Sequence, residues 1–541
     1  MFLSTLFVIT ILLLQPFHSS AIPFLSKQED NFAIYRNTNY TVSDGGKVQS
    51  RPKRVAIVGA GASGSSAAFF LRRASRVVEK RLGLEQGSRL GEVVVFEKEG
   101  YVGGRTTTIH PHSDQRLRAQ ELGGSIFVEA NRNMMKGVKY FNLTLVNPDI
   151  SESGIGIWDG EKFLFKTSSS SWIDSAKAIW RYGPLSPYRT KAAVSKLVNN
   201  FLKLYDPTYL AQRGPRDSIE EFAEGLGLGV EYTTRTGQEW AKKVVGVNSK
   251  WLGEIWEGAT RVNYASDMDH IHALGAGVSM ATGGASQVEG GNWRIFRGML
   301  DDSKATVHLG TEVSEIIPLD SKGSPQFIVR SNKTQLNDDE PFDAVFFAAP
   351  WHSSPISKEL EANFVAPIPR QPYVRLHVTY FTTTQPHPLA SFFGLPEDSY
   401  IPNAILTSAM TSRIQSIPPP RFQSITWHGE VLPGSGEYAV KVFSLTRLSD
   451  RFIHNLIGEE TGWLVRKEWN SYPKLKTIAS YAPVEPIRGL HYLAGQEAWI
   501  STMETQTISG REAVARLVDE WWGLGQGECE NGDSWDWTCS A

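Results

Sequence analysis

The stretch from residue 55 to residue 71 constrains the fold of this 541-residue chain more than any other. It begins with the apolar run Val-Ala-Ile-Val, which has the length of a buried strand, and passes through a glycine-rich turn into a segment typical of a helix. In such a turn the first glycine permits tight reversal, the second lets a phosphate approach the backbone, and the third lets helix and strand pack closely. The sequence therefore predicts a Rossmann-type nucleotide site whose turn residues are Gly59, Gly61, Ala62, Ser63 and Gly64.

A second buried strand is predicted at residues 93–96, which are apolar and end at Glu97. An acidic side chain at this point can accept hydrogen bonds from the ribose hydroxyls of a nucleotide. The distance from the glycine turn exceeds the usual spacing of about 20 residues. Residues 75–91 are charged and glycine-rich, and we expect a loop insertion there that accounts for the excess.

A second pair of glycines follows in the segment from Glu97 to Arg105, which reads EKEGYVGGR. This segment resembles the glycine–glycine–arginine extension of two-dinucleotide flavoproteins, which implies FAD as the cofactor. The resemblance places Lys98, Gly103 and Gly104 close to the FAD and assigns Arg105 to offset its phosphate charge. A nicotinamide dehydrogenase has no need of this second glycine pair.

Two other segments resemble parts of amine-oxidase-like flavoproteins. Residues 121–125, ELGGS, resemble the segment beside the isoalloxazine ring, and the backbone of Val313 is expected to meet the adenine. The resemblance thus assigns four more residues to the cofactor site: Leu122, Gly123, Gly124 and Ser125.

The C-terminal run 490–517 resembles the last FAD motif of this class, a strand and an acidic residue followed by a helix that starts at the flavin. Glu497 is the acidic residue. Met503, Glu504 and Thr505 are the candidates for the helix start, whose N–H groups would face the flavin edge where negative charge develops on reduction.

Composition excludes some classes of partner. The 55 basic and 57 acidic residues are intermixed and give a net charge of −2, so a nucleic-acid partner is not expected. The 41% of hydrophobic residues and the 16 tryptophans are ample for a large core.

Residues 1–21 have the pattern of a secretory signal peptide, with an apolar run at 7–14 and small residues before the cleavage point. This apolar run is shorter than the roughly 20 residues that a membrane span needs, so we expect no transmembrane segment. Three acceptor triplets predict glycosylation at Asn39, Asn142 and Asn332. The two cysteines, Cys529 and Cys539, should pair in an oxidising compartment. These features predict the secretory pathway, with a lysosomal, vacuolar or extracellular destination.

The central run RVNY…HALGAGVSMA…VEGGNWRIFRGML, residues 261–300, is dense in glycine and predominantly apolar. It resembles the prenylcysteine oxidase (prenylcysteine lyase) family, and the resemblance extends from about residue 55 to residue 524. It implies an FAD-dependent thioether oxidase that uses O2 and cleaves farnesyl- or geranylgeranyl-cysteine to cysteine, a prenyl aldehyde and hydrogen peroxide. Two alternatives stay open at this point: a secreted flavin amine or amino-acid oxidase, and a flavin-binding protein without catalysis.

The fold class that follows is α/β, a Rossmann-like FAD-binding domain with an inserted α+β substrate domain that contains an antiparallel sheet. Residues 373–382 alternate between apolar and polar and are expected to wall the substrate site as one strand of that sheet. The predicted parts are a leader at 22–53, the FAD-binding domain at 54–137, 263–350 and 485–525, the substrate domain at 138–262 and 351–484, and a disulfide-closed tail at 526–541.

The chemistry of the site is less determined by the sequence. No catalytic acid or base can be assigned; His270 and His272 are near-flavin candidates together with Met503 and Glu504. The histidine pair has no Cys or acid spaced to complete a metal site, so no metal is predicted. Both cysteines lie beyond Trp522, so the FAD is expected to be bound without a covalent cysteinyl link. Oligomeric state is not predicted.

Overall fold

The structure, a computed structural model, describes residues 51–148, 154–168, 171–319, 324–336, 339–356 and 358–539. The predicted signal peptide, most of the leader and Asn39 lie outside these residues. The strands are β1 (Lys53–Val58), β2 (Leu90–Phe96), β3 (Thr107–Ile109), β4 (Gln120–Gly123), β5 (Leu145–Val146), β6 (Ile155–Trp158), β7 (Phe163–Lys166), β8 (Gln287–Val288), β9 (Thr306–His308), β10 (Val313–Leu319), β11 (Gln326–Ser331), β12 (Ala344–Phe347), β13 (Tyr373–Thr383), β14 (Ala404–Thr407), β15 (Ser424–Glu430), β16 (Tyr438–Ser444), β17 (Leu464–Pro473) and β18 (Leu490–Tyr492).

Most helices lie between β7 and β8. The α-helices are α1 (Ala62–Arg81), α2 (Arg132–Tyr140), α3 (Ser171–Tyr182), α4 (Leu185–Leu202), α5 (Pro207–Arg213), α6 (Ile219–Gly225), α7 (Val230–Thr233), α8 (Gly237–Trp240), α9 (Glu257–Tyr264), α10 (Ala273–Val278), α11 (Trp293–Ser303), α12 (Ala409–Gln415), α13 (Asp450–Ile457) and α14 (Met503–Trp522). Two π-helical stretches, Ala241–Val245 and Trp251–Trp256, follow α8 and precede α9.

The first sheet is parallel and has the strand order β18-β12-β1-β2-β9. Its central strand β1 is apolar on both faces, as a parallel strand covered on both sides requires. Val55 and Ile57 pack with α1, α11 and α14, whereas Ala56 and Val58 pack with the β10–β11 hairpin. The predicted α/β class with a Rossmann-like unit is confirmed.

The second sheet has seven strands in the order β17-β13-β16-β15-β14-β6-β7. Every pair in it is antiparallel except β14 with β6. The helical block from α3 to α10 packs beside this sheet around buried tryptophans that include Trp251 and Trp256. An antiparallel sheet of the predicted kind is thus present; the division into domains at the residues given above stays a prediction.

One local prediction was wrong. Helix α1 continues to Arg81, so the first part of the expected loop at 75–91 is helical; its side chains at Ser75, Val78 and Glu79 are buried. Strands β9 and β10 lie on either side of Gly310 but belong to different sheets, because β9 extends the parallel sheet and β10 pairs with β11.

The tail at 526–541 is not peripheral. Trp535 and Trp537 are buried in the core of the parallel-sheet unit, and the ring of Trp537 lies 4.6 Å from that of Phe69. The guanidinium of Arg73 on α1 donates to both carboxylate oxygens of Asp533. The predicted disulfide joins Cys529 and Cys539 and closes this segment on itself. The segment therefore forms part of the hydrophobic core.

Within the part of the chain that the structure describes, every helix is either too short or too polar to span a lipid bilayer.

Candidate active site

A cavity of about 500 Å³ lies at the carboxyl ends of the parallel strands, where α/β sheets bind their ligands. Its walls come from the turn after β1, from Glu97 after β2 and from residues 348–350 after β12. We call it the dinucleotide cavity. Thirteen of the residues predicted for the cofactor site line it: Gly59, Gly61, Ala62, Ser63, Glu97, Lys98, Gly103, Gly104, Arg105, Gly124, Val313, Glu497 and Met503.

The glycines of the first turn have distinct roles. Gly59 has φ +106°, a left-handed conformation that other residues rarely adopt. A Cβ at Gly61 would meet no atom closer than 3.9 Å on the protein side, so this face of the backbone is open to a ligand. A Cβ at Gly64 would lie 1.9 Å from the carbonyl oxygen of Gly59. Gly64 does not line the cavity; it allows α1 to pack against the turn.

The Glu97 carboxylate is fixed by backbone donors. Its Oε2 accepts a hydrogen bond from the N–H of Ala60 at 2.7 Å, and Oε1 accepts from the N–H of Glu99 at 2.9 Å. Burial raises the pKa of Glu97, and these two donors oppose the shift. Each oxygen keeps a further lone pair, which a ribose hydroxyl could use.

An ion pair closes the opposite wall. The guanidinium of Arg105 binds the carboxylate of Glu497, and it also donates to the carbonyl oxygen of Ser471 at 2.9 Å. The hydroxyl of Tyr373 donates to the other oxygen of Glu497 at 2.8 Å. The charge of Arg105 is therefore directed at Glu497, and the expected part in offsetting phosphate charge stays a prediction.

Helix α14 begins at the end of the dinucleotide cavity. Its N-cap is Thr502, whose hydroxyl accepts from the N–H of Thr505 at 3.1 Å. Ser501, Thr502 and Met503 line both this cavity and a second one on its far side, and Gly124 and Tyr472 complete the shared wall. The start of α14 is thus the point where the two cavities meet.

The second cavity has a volume of about 360 Å³ and mainly apolar walls. We call it the apolar cavity. Helix α4 contributes Leu197, Val198 and Phe201, α9 contributes Tyr264, and α10 contributes Leu274. The antiparallel sheet supplies the remaining side through β15 and β16.

Strand β13, which covers the expected wall strand at 373–382, contributes Tyr373 and Arg375 to the dinucleotide cavity. In the apolar cavity the same sheet is represented by Ser424 and Thr426 of β15 and by Phe443 of β16.

Some predicted site residues lie elsewhere. Glu504 is fully buried and turned away from both cavities: it accepts hydrogen bonds from the N–H groups of Asn133 and Met134 at the start of α2 and from the hydroxyl of Tyr205. Its side chain joins two helices instead of facing the flavin. Leu122 and Gly123 are packed against Trp469 and line neither cavity.

The two histidine candidates also lie outside both cavities. The His270 side chain is 70% exposed and lies beside Asp269. His272 is the N-cap of α10, where its Nδ1 accepts from the N–H of Gly275 at 3.0 Å, and burial lowers its pKa to about 4. His272 therefore caps the start of a helix. Ser125 and Thr505, in contrast, line the apolar cavity.

The remaining predicted sites are on the surface. Asn142 and Asn332 are both exposed.

One cluster of side chains has the spacing of metal ligands. Asp267, Asp269 and His270 bring ligand atoms within 4.8 Å of one another, but Asp267 already binds Arg261 and Arg413.

Several site residues were missed by the sequence analysis. Lys441 and His428 lie on adjacent strands and line the apolar cavity, and Tyr472 lies on the shared wall. Asn292 holds this wall in place, because its Nδ2 donates to the carbonyl oxygen of Gly124 at 2.8 Å. Only the asparagine carried a sequence signal, as the last residue of the VEGGN run.

The donors and the shape of the dinucleotide cavity fit FAD. It offers an open glycine face for a pyrophosphate, a buried carboxylate for a ribose and a helix start at its wall. Together with the second glycine pair, these features define a flavoprotein of the two-dinucleotide class.

Comparison with solved structures supports this class at the level of the fold. Putrescine oxidase covers 86% of this chain with a TM-score of 0.53 at 15% identity, and cyclohexylamine oxidase from Brevibacterium oxydans covers 87% with a TM-score of 0.53 at 14% identity. Each match includes 99% of the solved chain.

Sequence comparison identifies the family. Residues 165–531 match the family model of prenylcysteine lyase, and residues 57–141 match that of the NAD(P)-binding Rossmann-like domain. Farnesylcysteine lyase of Arabidopsis thaliana is 30% identical over 492 residues, which is 88% of this chain and 90% of the relative. Prenylcysteine oxidase 1 of Homo sapiens is 27% identical over 493 residues, 88% and 91% of the two chains. The chain belongs to the prenylcysteine lyase family.

Proposed function

We propose that this protein is an FAD-dependent thioether oxidase that cleaves farnesyl- or geranylgeranyl-cysteine to cysteine, a prenyl aldehyde and hydrogen peroxide, with O2 as the electron acceptor. The observation that carries the proposal is the shared wall of the two cavities. An apolar cavity that lies against the end of a dinucleotide cavity and shares a wall with it can hold an isoprenoid chain with its sulfur-bearing carbon at the cofactor. The names of the relatives from Arabidopsis and human support the substrate class.

The chain contributes binding and orientation. FAD, when bound, accepts a hydride from the carbon next to sulfur and passes the electrons to O2. The glycine turn would hold the pyrophosphate, Glu97 would accept hydrogen bonds from the ribose hydroxyls, and the start of α14 would face the ring. Leu197, Phe201 and Leu274 exclude water from the isoprenoid chain, and each buried methylene should contribute about 0.8 kcal/mol.

The first experiment gives purified protein farnesylcysteine, benzylamine and leucine in separate oxygen-electrode runs. Oxygen consumption with farnesal and peroxide from farnesylcysteine alone would support the proposal. Turnover of the amines alone would assign an amine oxidase. If FAD is bound and all three compounds are inert, the protein is a flavin-binding protein or acts on another thioether.

A second experiment tests the apolar cavity. Val278→Trp places an indole in this cavity and should raise KM for farnesylcysteine at least tenfold with little change in flavin content. The matched control is Val244→Trp, because Val244 is 50% exposed and lines neither cavity. An unchanged KM in Val278→Trp would exclude this cavity as the isoprenoid site.

We also propose the secretory pathway as the route of this protein, to a lysosome, a vacuole or the outside of the cell. The disulfide between Cys529 and Cys539 supports an oxidising compartment. The exposure of Asn142 and Asn332 is compatible with glycosylation. Digestion of the protein purified from its own cells with an N-glycosidase should lower its mass, and an unchanged mass would contradict the glycosylation.

A further inference from the structure

Lys441 is a buried lysine on the wall of the apolar cavity. It lies on β16, is 7% exposed, and has Tyr380 and Thr426 as its neighbours on the adjacent strands. Its Nζ donates to the carbonyl oxygen of Glu121 at 2.6 Å and to the Oγ of Ser125 at 2.9 Å. Among the described residues, no carboxylate lies within ion-pair distance of it. A buried ammonium without a carboxylate partner is costly, so the position favours the uncharged amine.

The titratable groups around Lys441 do not shift its amine back to the protonated form. Burial lowers its pKa to about 7, against the opposing effect of Glu121. Burial raises the pKa of Glu121 itself to about 8, with the N–H of Asn292 on Oε1 opposing the shift. His428 has a pKa lowered to about 3, first by burial and then by the charges of Lys441 and Arg118. Tyr380, whose ring faces Lys441 at 5.5 Å, has its pKa raised by burial.

The hydrogen bonds of Lys441 use both of its N–H groups and leave the lone pair of its nitrogen for a partner in the cavity. An uncharged amine has two N–H groups and one lone pair. Glu121 and Ser125 take the two N–H groups, and the side chain lines the cavity. Ser125 directly follows Gly124, a residue of the wall that the two cavities share. The lone pair is therefore available close to the point where the substrate carbon would meet the cofactor.

We propose that Lys441 is the general base, and then the general acid, of the hydrolytic half of the reaction, an inference that rests on the proposed thioether oxidation. Hydride loss to FAD leaves a C=S⁺ group on the substrate. Water oxygen bonds to this carbon, and one water proton goes to Nζ of Lys441, which gives a hemithioacetal. The C–S bond then breaks, the sulfur takes the proton from Nζ, and the hydroxyl proton leaves as the aldehyde forms. The net products are aldehyde, cysteine and one proton, which reoxidation of the reduced cofactor by O2 consumes.

Other ionisable groups near the site are less suited to act as the general base. The Glu504 carboxylate is turned away from both cavities. His428 lines the apolar cavity but is a weak base there, because burial disfavours its protonated form.

The test separates the two halves of the reaction in Lys441→Met and Lys441→Arg. In anaerobic stopped flow, flavin bleaching reports hydride transfer, and quenched samples report the aldehyde. Bleaching should stay within about threefold of wild type in both variants, while aldehyde release slows by about 10²-fold, the usual contribution of a general base. Lys441→Arg should not restore the rate of aldehyde release, because a guanidinium group stays protonated and cannot act as a base. Wild-type aldehyde release should rise as pH increases through about 7, since the base form is then populated, and Lys441→Met should lack this rise.

A second measurement does not depend on turnover. The holoenzyme is incubated at pH 7 with farnesal and cyanoborohydride, which fixes an imine between an aldehyde and an uncharged amine as a secondary amine. Ordinary lysines have a pKa of about 10.4 and react little at this pH. Peptide mapping by mass spectrometry should find the adduct enriched at Lys441 and absent from Lys441→Met. The matched control is Lys80→Met, an exposed lysine on α1 that should change neither measurement.

Three results would overturn the inference: aldehyde release in Lys441→Met within twofold of wild type, bleaching that slows in parallel with release, or adducts without enrichment at Lys441. A wild-type enzyme that does not oxidise farnesylcysteine would instead overturn the proposed function, which keeps the two failures distinct.

Discussion

A Cβ atom built on Gly104 would lie 3.3 Å from the Cα atom of Gly61. Glycines from two motifs that are separate in the sequence thus meet at the wall of the dinucleotide cavity. Because both residues lack a side chain, a pyrophosphate can approach the backbone of each. A side chain at either position would occupy part of the space that the pyrophosphate needs.

Gly61→Val should abolish flavin binding while the protein still folds. The nearest protein atom to an added Cβ is 3.9 Å away, and φ at this residue is −78°, so a valine fits sterically. Its methyl groups would occupy the space that the phosphates need. We expect less than a tenth of the wild-type flavin absorbance with an unchanged circular dichroism spectrum. Gly64→Val is the contrast, because its Cβ would lie 1.9 Å from the Gly59 carbonyl oxygen and should prevent folding. Full flavin absorbance in Gly61→Val would show that the turn does not hold the cofactor.

FAD should leave the protein on denaturation. The two cysteines are joined to each other, and among the described residues that line the two cavities the one histidine is His428. Acid precipitation should give a colourless pellet and a yellow supernatant. A yellow pellet would contradict the prediction and would direct peptide mapping to His428 first.

Acid should weaken the attachment of α14 to α5. Burial opposes ionisation of Glu512, but Arg213 and Arg511 outweigh it and lower the Glu512 pKa from 4.5 to about 2. Because the folded-state pKa is depressed, the stabilisation is fully present above about pH 5 and is lost as pH falls toward 2. The shift corresponds to about 3 kcal/mol at 1.36 kcal/mol per pKa unit. Urea unfolding at pH 5 and pH 3 should show a smaller loss of free energy in Glu512→Gln than in wild type; equal losses would contradict the prediction.

Loss of the disulfide should destabilise the parallel-sheet unit as a whole. The Cys529→Ser, Cys539→Ser double variant should lose about 2–3 kcal/mol in the chain-entropy model, and Trp537→Ala about 3–5 kcal/mol through the cavity it leaves. Both losses of stability can be measured by guanidine unfolding that is monitored through the release of flavin. Trp180→Ala is the control, because that indole is 88% exposed. Mass spectrometry that finds two free thiols in secreted protein would contradict the pairing.

The sequence was informative where structure depends on neighbours in the chain. The strand before the glycine turn and the acid at the end of β2 follow from apolar runs, the helix start at Met503 follows from the resemblance of its segment to a known FAD motif, and the structure brings all three around one cavity. The N–H groups that bind the Glu97 carboxylate come from its own motif and from the turn it faces.

The remaining features depend on contacts between distant segments. Glu504 follows Met503 directly, yet it caps α2, because residues on a helix point in different directions and α2 offers free N–H groups. Lys441 lies between apolar residues of β16, and its contacts with Glu121 and Ser125 depend on the packing of this strand against the segment at 121–125. The sequence of the strand alone does not identify these distant partners.

The burial of Trp535 and Trp537 against α1 has a consequence for synthesis. Arg73 and Asp533 are 460 positions apart, so the ribosome must add 460 residues after Arg73 before the aromatic side of α1 can be covered. Glu497 and the start of α14 are likewise made long after the glycine turn. The flavin must therefore join a polypeptide that already extends to the start of α14, and until Trp535 and Trp537 are made the rings of Phe69 and Phe70 can be bound by chaperones.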